Sequence, residues 1–312
     1  MEGKIGLFAN TFDDYQGSIV REAEAAAHEV GLAVEVFDSE YTAAKQAQNL
    51  VRFVYGSTEM RRCALVLPES DAIQEGDLSS DPTLQVAQKL LRQGVGWITL
   101  NHGREEIIAF ARDNFPDVPA ALVAVDNKEF GRIQARQLRT LLPKGGTALY
   151  VLGNALDSAC RNRHLGLKQG LEGSGIAIEE VDGRWNAEVA EAIVYKWISS
   201  PIRRKSPLHA VVGQNDHMAL AARRALTRAA EELARLELAR IPALGGDGLP
   251  EHGQRWVDQK RLTATVRATL PGRPAVELLA RHWRDRAPLA PVTRLGVVSY
   301  PPLADLSPAT AN

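Results

Sequence analysis

Short apolar runs alternate with amphipathic helical patterns along nearly the whole chain, and this alternation constrains the fold more than any other feature. The strand-like runs fall at 4–9, 33–37, 63–67, 96–100, 121–125, 147–152, 176–181, 210–213, 243–246, 263–267 and 295–298. Helical spacing fills most of the gaps, at 15–30, 43–55, 83–93, 130–142, 158–171, 187–199, 216–239 and 273–284. Strand–helix–strand units return as right-handed crossovers, so the pattern predicts an α/β fold built on parallel sheets. Some eleven strands are many for one doubly wound sheet, and a single (β/α)8 barrel would leave several over. At 312 residues the chain also exceeds what one core commonly serves. Two lobes are expected.

Helix boundaries carry the usual chemistry. Pro82 and Pro271 stand where a first helical turn tolerates proline, and Asn186 precedes the helix that begins near Ala187. Gly31 and Gly94 stand where a helix ends on a left-handed residue. Segment 101–120 reads as one short helix and a loop. Segment 224–240, rich in Ala, Leu, Arg and Glu, reads as an extended surface helix that could serve self-association. The last twelve residues, 301–312, with three prolines, read as a loose tail.

Polar residues gather where strand-like runs stop. Ala210-Val-Val-Gly is followed at once by Gln214, Asn215 and Asp216, and then by a helical pattern. Leu244-Gly-Gly-Asp-Gly repeats the form, with Asp247 just past an apolar run. In open parallel sheets such junctions lie at the carboxyl ends of strands, where ligands bind. Two of them would aim hydrogen-bonding groups into one cleft, an arrangement suited to a neutral polyhydroxylated molecule. Each Asx taken singly reads equally as a helix cap or turn residue.

Other chemistry lacks its signatures. Lys+Arg 37 against Asp+Glu 38 gives a net charge of -1 and no general attraction to nucleic acid or membrane. The basic spots Arg203-Arg204-Lys205 and 221–240 read as solvated surface. Cys63 and Cys160 form neither a zinc motif nor a disulfide framework, and no two of the seven histidines stand at metal-ligand spacing. No cofactor or metal is expected. There is no phosphate loop, HExxH or GxSxG elbow, and no module for reading DNA precedes residue 4. No apolar stretch is long enough to enter a bilayer, and Lys4-Ile-Gly-Leu-Phe-Ala already reads as the first strand. As the sequence stands the expectation is a cytoplasmic protein, or a periplasmic one from which an upstream signal had been removed.

The order of these motifs resembles the type I periplasmic binding proteins, the ribose-binding branch above all, and the effector domains of lactose-repressor-type regulators. The resemblance rests on Ile5-Gly-Leu-Phe-Ala-Asn-Thr, Trp97-Ile-Thr-Leu-Asn-His, Val125-Asp-Asn-Lys-Glu-Phe-Gly and Ser158-Ala-Cys-Arg-Asn-Arg-His-Leu-Gly-Leu. It continues with Gln214-Asn-Asp-His-Met-Ala-Leu, Gly246-Asp-Gly and Leu262-Thr-Ala-Thr-Val, and so covers about Lys4 to Ser299. It implies two Rossmann-like lobes joined by a three-crossover hinge that closes on a ligand. The lobes would be 1–125 plus about 269–292, and 126–268 plus about 293–300.

By the same resemblance Arg161 is the sugar-binding arginine, Asn215 and Asp247 bind hydroxyls, and Trp185 stands where a phenylalanine stacks on the sugar. Asp216 would cap its helix. The first lobe departs from the ribose pattern: Asp13-Asp14-Tyr15-Gln16-Gly17 replaces an aromatic pair, and Asn101-His102 replaces Asp-Arg. Asp14, Gln16, Asn101 and His102 therefore join the candidate ligand-binding residues, and the stacking partner is lost or rebuilt with Tyr15. The expected function is non-catalytic binding of a small carbohydrate or polyol, feeding an ABC-type transporter through a membrane permease or acting as a sensor with a signalling partner. The alternatives are an α/β enzyme using the cleft, with Asp14 or His102 as acid or base, and a ligand-free scaffold.

Overall fold

A computed structural model describes residues 3–40, 42–56, 61–68, 82–103, 105–202 and 207–308. The basic spot 203–205 and the last four residues of the expected tail lie outside the described residues. The chain divides into two units, Met1–Val125 with Thr269–Leu295, and Asp126–Ala268 with Gly296–Asn312, so it passes between them three times.

In unit 1 the chain runs β1 (Lys4–Ala9), α1 (Asp14–Glu29), β2 (Ala33–Asp38), α2 (Ala43–Tyr55), β3 (Arg62–Val66), α3 (Pro82–Arg92), β4 (Val95–Asn101), α4 (Glu105–Asn114) and β5 (Ala120–Val125). Its later return adds α10 (Gly272–Asp285) and β11 (Val292–Leu295). The six strands form one parallel sheet in the order β11-β5-β4-β3-β1-β2. All six residues of β5, Ala-Ala-Leu-Val-Ala-Val, are buried, as befits a parallel strand covered on both faces. Phe8, Phe37 and Phe53 pack together on one face, Phe8 stacked on Phe37 at 4.6 Å and Phe53 edge-on to both.

Unit 2 runs α5 (Asn127–Leu141), β6 (Gly146–Leu152), α6 (Ser158–Leu171), β7 (Ile176–Asp182), α7 (Ala187–Ser199), β8 (Ala210–Gly213), α8 (Asp216–Glu232), β9 (Ala243–Leu244), α9 (Arg255–Asp258), β10 (Thr265–Ala268) and β12 (Val297–Tyr300). Strands β7-β6-β8-β9 form a parallel sheet, while β10 and β12 pair antiparallel. The two sheet faces are covered separately. Ile198, Met218, Leu226 and Leu238 pack on one, and Leu138, Tyr150, Leu167 and Leu244 on the other.

The expected caps form: Gly31 and Gly94 sit at φ 73° and 70°, and the Asn186 side chain accepts from the Glu188 and Val189 amides. Three expectations are corrected. The run 295–298 is two strands in two units, divided at Gly296, because β11 pairs with β5 and β12 with β10. The helix begun at 216 stops at Glu232, where Ala234 turns left-handed at φ 51° and a separate 3-10 turn, Leu236–Arg240, returns Leu238 to the core. The tail is docked as far as Leu306 rather than loose, and Ser307 and Pro308 beyond it are exposed. A turn at Leu303–Asp305 places Leu303 and Leu306 three residues apart against the core of unit 2.

Candidate functional site

Two helices whose backbones meet at a pair of glycines set up the site in unit 2. A Cβ on Gly131 of α5 would lie 2.0 Å from the Arg163 carbonyl, and one on Gly166 of α6 would lie 2.0 Å from the Lys128 carbonyl. Only glycine permits that approach, and it carries Arg163 of α6 onto the first turn of α5. Asp126 caps this turn by accepting from the Glu129 amide at 2.9 Å. The next residue, Asn127, accepts from Arg163 Nε at 2.9 Å through its Oδ1. The guanidinium lies 3.8 Å from the centre of the Phe130 ring and 5.5 Å from that of Trp185. Its Nη1 donates to the Gln214 carbonyl and to Asp247 Oδ1, the latter at 3.1 Å.

Strand ends supply the rest. Asn215, not Asp216, caps α8: its Oδ1 accepts from the Met218 amide at 2.8 Å. Asp216 is 2 % exposed and accepts from the Thr265 hydroxyl at 2.6 Å and the Gly248 amide at 2.8 Å. It thereby pins the Gly245–Gly248 loop that presents Asp247. Burial, with the Asp247 charge nearby, pushes the Asp216 carboxyl up to about 8. Asp247 is also raised by burial, against the lowering effect of Arg163 and His217. Asp247 sits at φ 86°, so this loop holds a non-glycine residue in the left-handed region to aim its side chain.

Two buried glutamines tie these strand ends together. Gln134 Nε2 donates to the Gly213 and Gly245 carbonyls, and its Oε1 accepts from Tyr150. Gln214 Oε1 accepts from the Gly153 amide, and its Nε2 donates to the Tyr150 hydroxyl and the Cys160 carbonyl. Trp185, at φ 58°, lays its indole on Gly153, where a Cβ would come within 2.1 Å of the ring, and donates to Asp157 Oδ2 at 2.7 Å.

The structure gathers Asp247 and Trp185 about Arg163, with Asn215 next along the chain from Gln214, but leaves Arg161 out of the cluster. Arg161 is exposed and bonds the Ala155 and Leu156 carbonyls of its own loop. The clustered arginine is Arg163, which sequence reasoning missed. Helical spacing could have found it, because Cys160, Arg163, Gly166, Leu167 and Leu171 share the buried face of α6. Also missed was an aromatic group beside Asp247, in which the rings of His217, His252 and Trp256 pack with centres 5.0–5.4 Å apart.

Among the described residues, Arg163 Nη2, Asp247 Oδ2 and Asn215 Nδ2 make no hydrogen bond. They constitute two donors and an acceptor, and the Arg163 guanidinium sets the first of them near the Trp185 indole.

In unit 1, Asp14 is exposed on the first turn of α1. Gln16 is drawn into the loop instead, its Oε1 accepting from the Asn10 amide at 3.0 Å. The Tyr15 hydroxyl donates to Asn101 Oδ1 at 2.9 Å, and Asn101 holds φ 70° at the end of β4. His102 follows, its amide donating to the Leu100 carbonyl.

Parallel sheets with polar strand ends and a chain that crosses three times define a two-unit solute-binding architecture. A family model described as periplasmic binding protein domain matches residues 5–286, and the chain belongs to that family. A Rhizobium meliloti protein assigned as rhizopine-binding is 24% identical over 235 residues, 73% of this chain and 69% of that one. The fold is shared with the Caulobacter myo-inositol binding protein bound to myo-inositol, at TM-score 0.73 and 22% identity, over 96% of this chain and 92% of that one. It is also shared with the binding component of the arabinose ABC transporter from Shewanella sp. ANA-3, at TM-score 0.76 and 17% identity, over 96% and 93%. Among the described residues no helix is long and apolar enough to cross a membrane.

Proposed function

We propose that this chain is a non-catalytic binding protein for a neutral small carbohydrate or polyol, and that the strand-end cluster of unit 2 recognises it. The carrying observation is the Arg163–Asp247 pair, which leaves Nη2 and Oδ2 without a hydrogen bond among the described residues and whose guanidinium lies 5.5 Å from the Trp185 ring, Asn215 following directly on the Gln214 whose carbonyl Arg163 holds. The two charges cancel, which favours an uncharged ligand, and donors and acceptors together suit hydroxyl groups, which do both. The indole offers a face for the C–H groups of a sugar or cyclitol ring. The myo-inositol and arabinofuranose ligands of the two similar solved structures, and the putative rhizopine-binding assignment of the R. meliloti relative, support the same class. Asp14, Asn101 and His102 are unit 1's candidates for the same compound, and alanine at each is expected to lower affinity for it. The arabinose-transporter neighbour supports a role outside the cytoplasm, handing the ligand to a membrane permease.

The test is a thermal-shift and calorimetric screen of pentoses, hexoses, inositols and amino sugars. A ligand at a hundred times its dissociation constant adds roughly 2.7 kcal/mol of stability, which is readily seen as a raised melting temperature. The expected result is a hit abolished by Arg163→Ala or Asp247→Ala and retained in Arg161→Ala. Silence across the panel, or a hit indifferent to Arg163 and Asp247, would overturn the reading.

A further inference from the structure

The arginine-rich stretch of α8, which the sequence presents as solvated surface, lines a hollow of about 500 Å³ on unit 2. Arg223, Arg224, Arg228 and Glu231 of α8 line it together with Leu220 and Thr227, and Lys260 and Arg261, just beyond α9, complete its charged groups. None of the strand-end residues described above takes part.

Five cations thus face one carboxylate. Arg224 is matched outside the hollow by Glu191 at 2.7 Å, and Arg228 by Glu232 at 2.8 Å while covering the Tyr195 ring at 4.2 Å. Arg261 rests against the Trp256 ring at 5.7 Å, a contact that orients a cation without neutralising it. Arg223 is half-buried, and burial alone lowers its guanidinium pKa, with no carboxylate opposing the effect. A cation drawn from water without a counter-charge costs stability, and an incoming anion would relieve that cost.

We propose that this hollow is a second binding site, for a small molecule carrying a phosphate dianion. Arg223 and Arg261 supply guanidinium forks that match phosphate oxygens in pairs, and Lys260 supplies a compact charge. Counting Glu231, Glu191 and Glu232 against the five cations leaves two positive charges, the complement of a dianion. The volume falls within the roughly 300–1,000 Å³ of small-molecule pockets.

The test is calorimetry and thermal shift of the whole chain with sodium pyrophosphate, and with sulfate and inorganic phosphate in parallel, at low and physiological ionic strength. Pyrophosphate is expected to bind and to raise the melting temperature. Arg223→Gln combined with Lys260→Gln should weaken it roughly tenfold or more, since each removed group is a charge-assisted partner. Arg223→Lys, which keeps the charge and loses the fork, should fall between. Arg281→Gln, at an exposed position of α10 in unit 1, should leave binding unchanged. Circular dichroism of each variant separates loss of binding from loss of fold, and Arg223→Lys serves as a second probe where the double variant folds poorly. Absence of pyrophosphate binding would overturn the proposal. So would binding that survives the double variant or falls equally in Arg281→Gln. A polyol titration of the same variants is expected to be unaffected, so this site and the strand-end site can fail independently.

Discussion

Arg163 Nη1 lies 3.1 Å from Asp247 Oδ1 with both side chains largely withdrawn from water, 4 % and 15 % exposed. With the guanidinium near both Phe130 and Trp185, this pair is at once a part of unit 2's interior and the edge of the ligand surface proposed above.

Removing one partner should therefore be felt in stability as well as binding. Arg163→Ala strands the Asp247 charge and empties the space over Phe130, and should cost about 3 kcal/mol in urea unfolding. Arg161→Ala, two residues earlier and exposed, should stay within about 0.5 kcal/mol of the parent. Equal losses from the two would contradict the geometry.

The crossing of α5 and α6 makes a sharper test. Gly166→Ala puts a methyl group 2.0 Å from the Lys128 carbonyl, so the helices must part. Overpacking of this kind costs roughly 1–3 kcal/mol. The same movement withdraws Arg163 from Asn127, so ligand affinity should drop although no ligand-facing side chain has changed. Gly296→Ala, with nothing within 4 Å, is the control and should change neither quantity.

Asp216 gives the protein a pH signature. Its carboxyl is raised from 3.8 to about 8, so between those values the folded chain holds a proton that the unfolded chain has released. Stability from this group is full below about pH 4 and is lost as pH rises toward 8, at up to about 1.4 kcal/mol per unit. The melting-temperature advantage of the parent over Asp216→Asn should accordingly be largest in mild acid and shrink toward pH 8. A gap that widens with pH would show that Asp216 is ionised in the fold.

The docked tail is checked by Leu306→Ala. Leu306 is 9 % exposed and packs with Leu138, Leu167 and Leu303, so the change should cost about 2 kcal/mol. A loose tail would give no measurable loss.

Much of this was legible in the sequence, and the misses have physical causes. Alternation of period and the glycine punctuation at Gly31 and Gly94 marked most elements to within a few residues, because both are local. Arg161 and Arg163 were both in the motif, yet two residues on a helix face nearly opposite ways, and the buried partners of α6 decide between them. Asn215 and Asp216 are equally good caps by chemistry. Only Thr265 and Gly248, dozens of residues away, draw Asp216 inward and leave the cap to Asn215. Gln134 lies in a polar-looking helix whose burial shows only once β8 and β9 have been placed against it. Leu303 and Leu306 were hidden among prolines, which announce irregular backbone but say nothing about docking.

Gln134 and Gln214 have a consequence for how such a protein can change its preferences over generations. Every polar atom of both side chains is already hydrogen-bonded within the scaffold, to strand ends, to Tyr150 or to the Cys160 carbonyl of α6, so a mutation there would scatter the surface before it could reshape it. Asn215, Asp247 and Trp185 each keep a polar atom or a ring face uncommitted to the scaffold. A lineage shifting from one polyol to another can vary Asn215 and Trp185 at less cost to the fold than Asp247, whose carboxylate the buried Arg163 needs, while the two glutamines stay fixed.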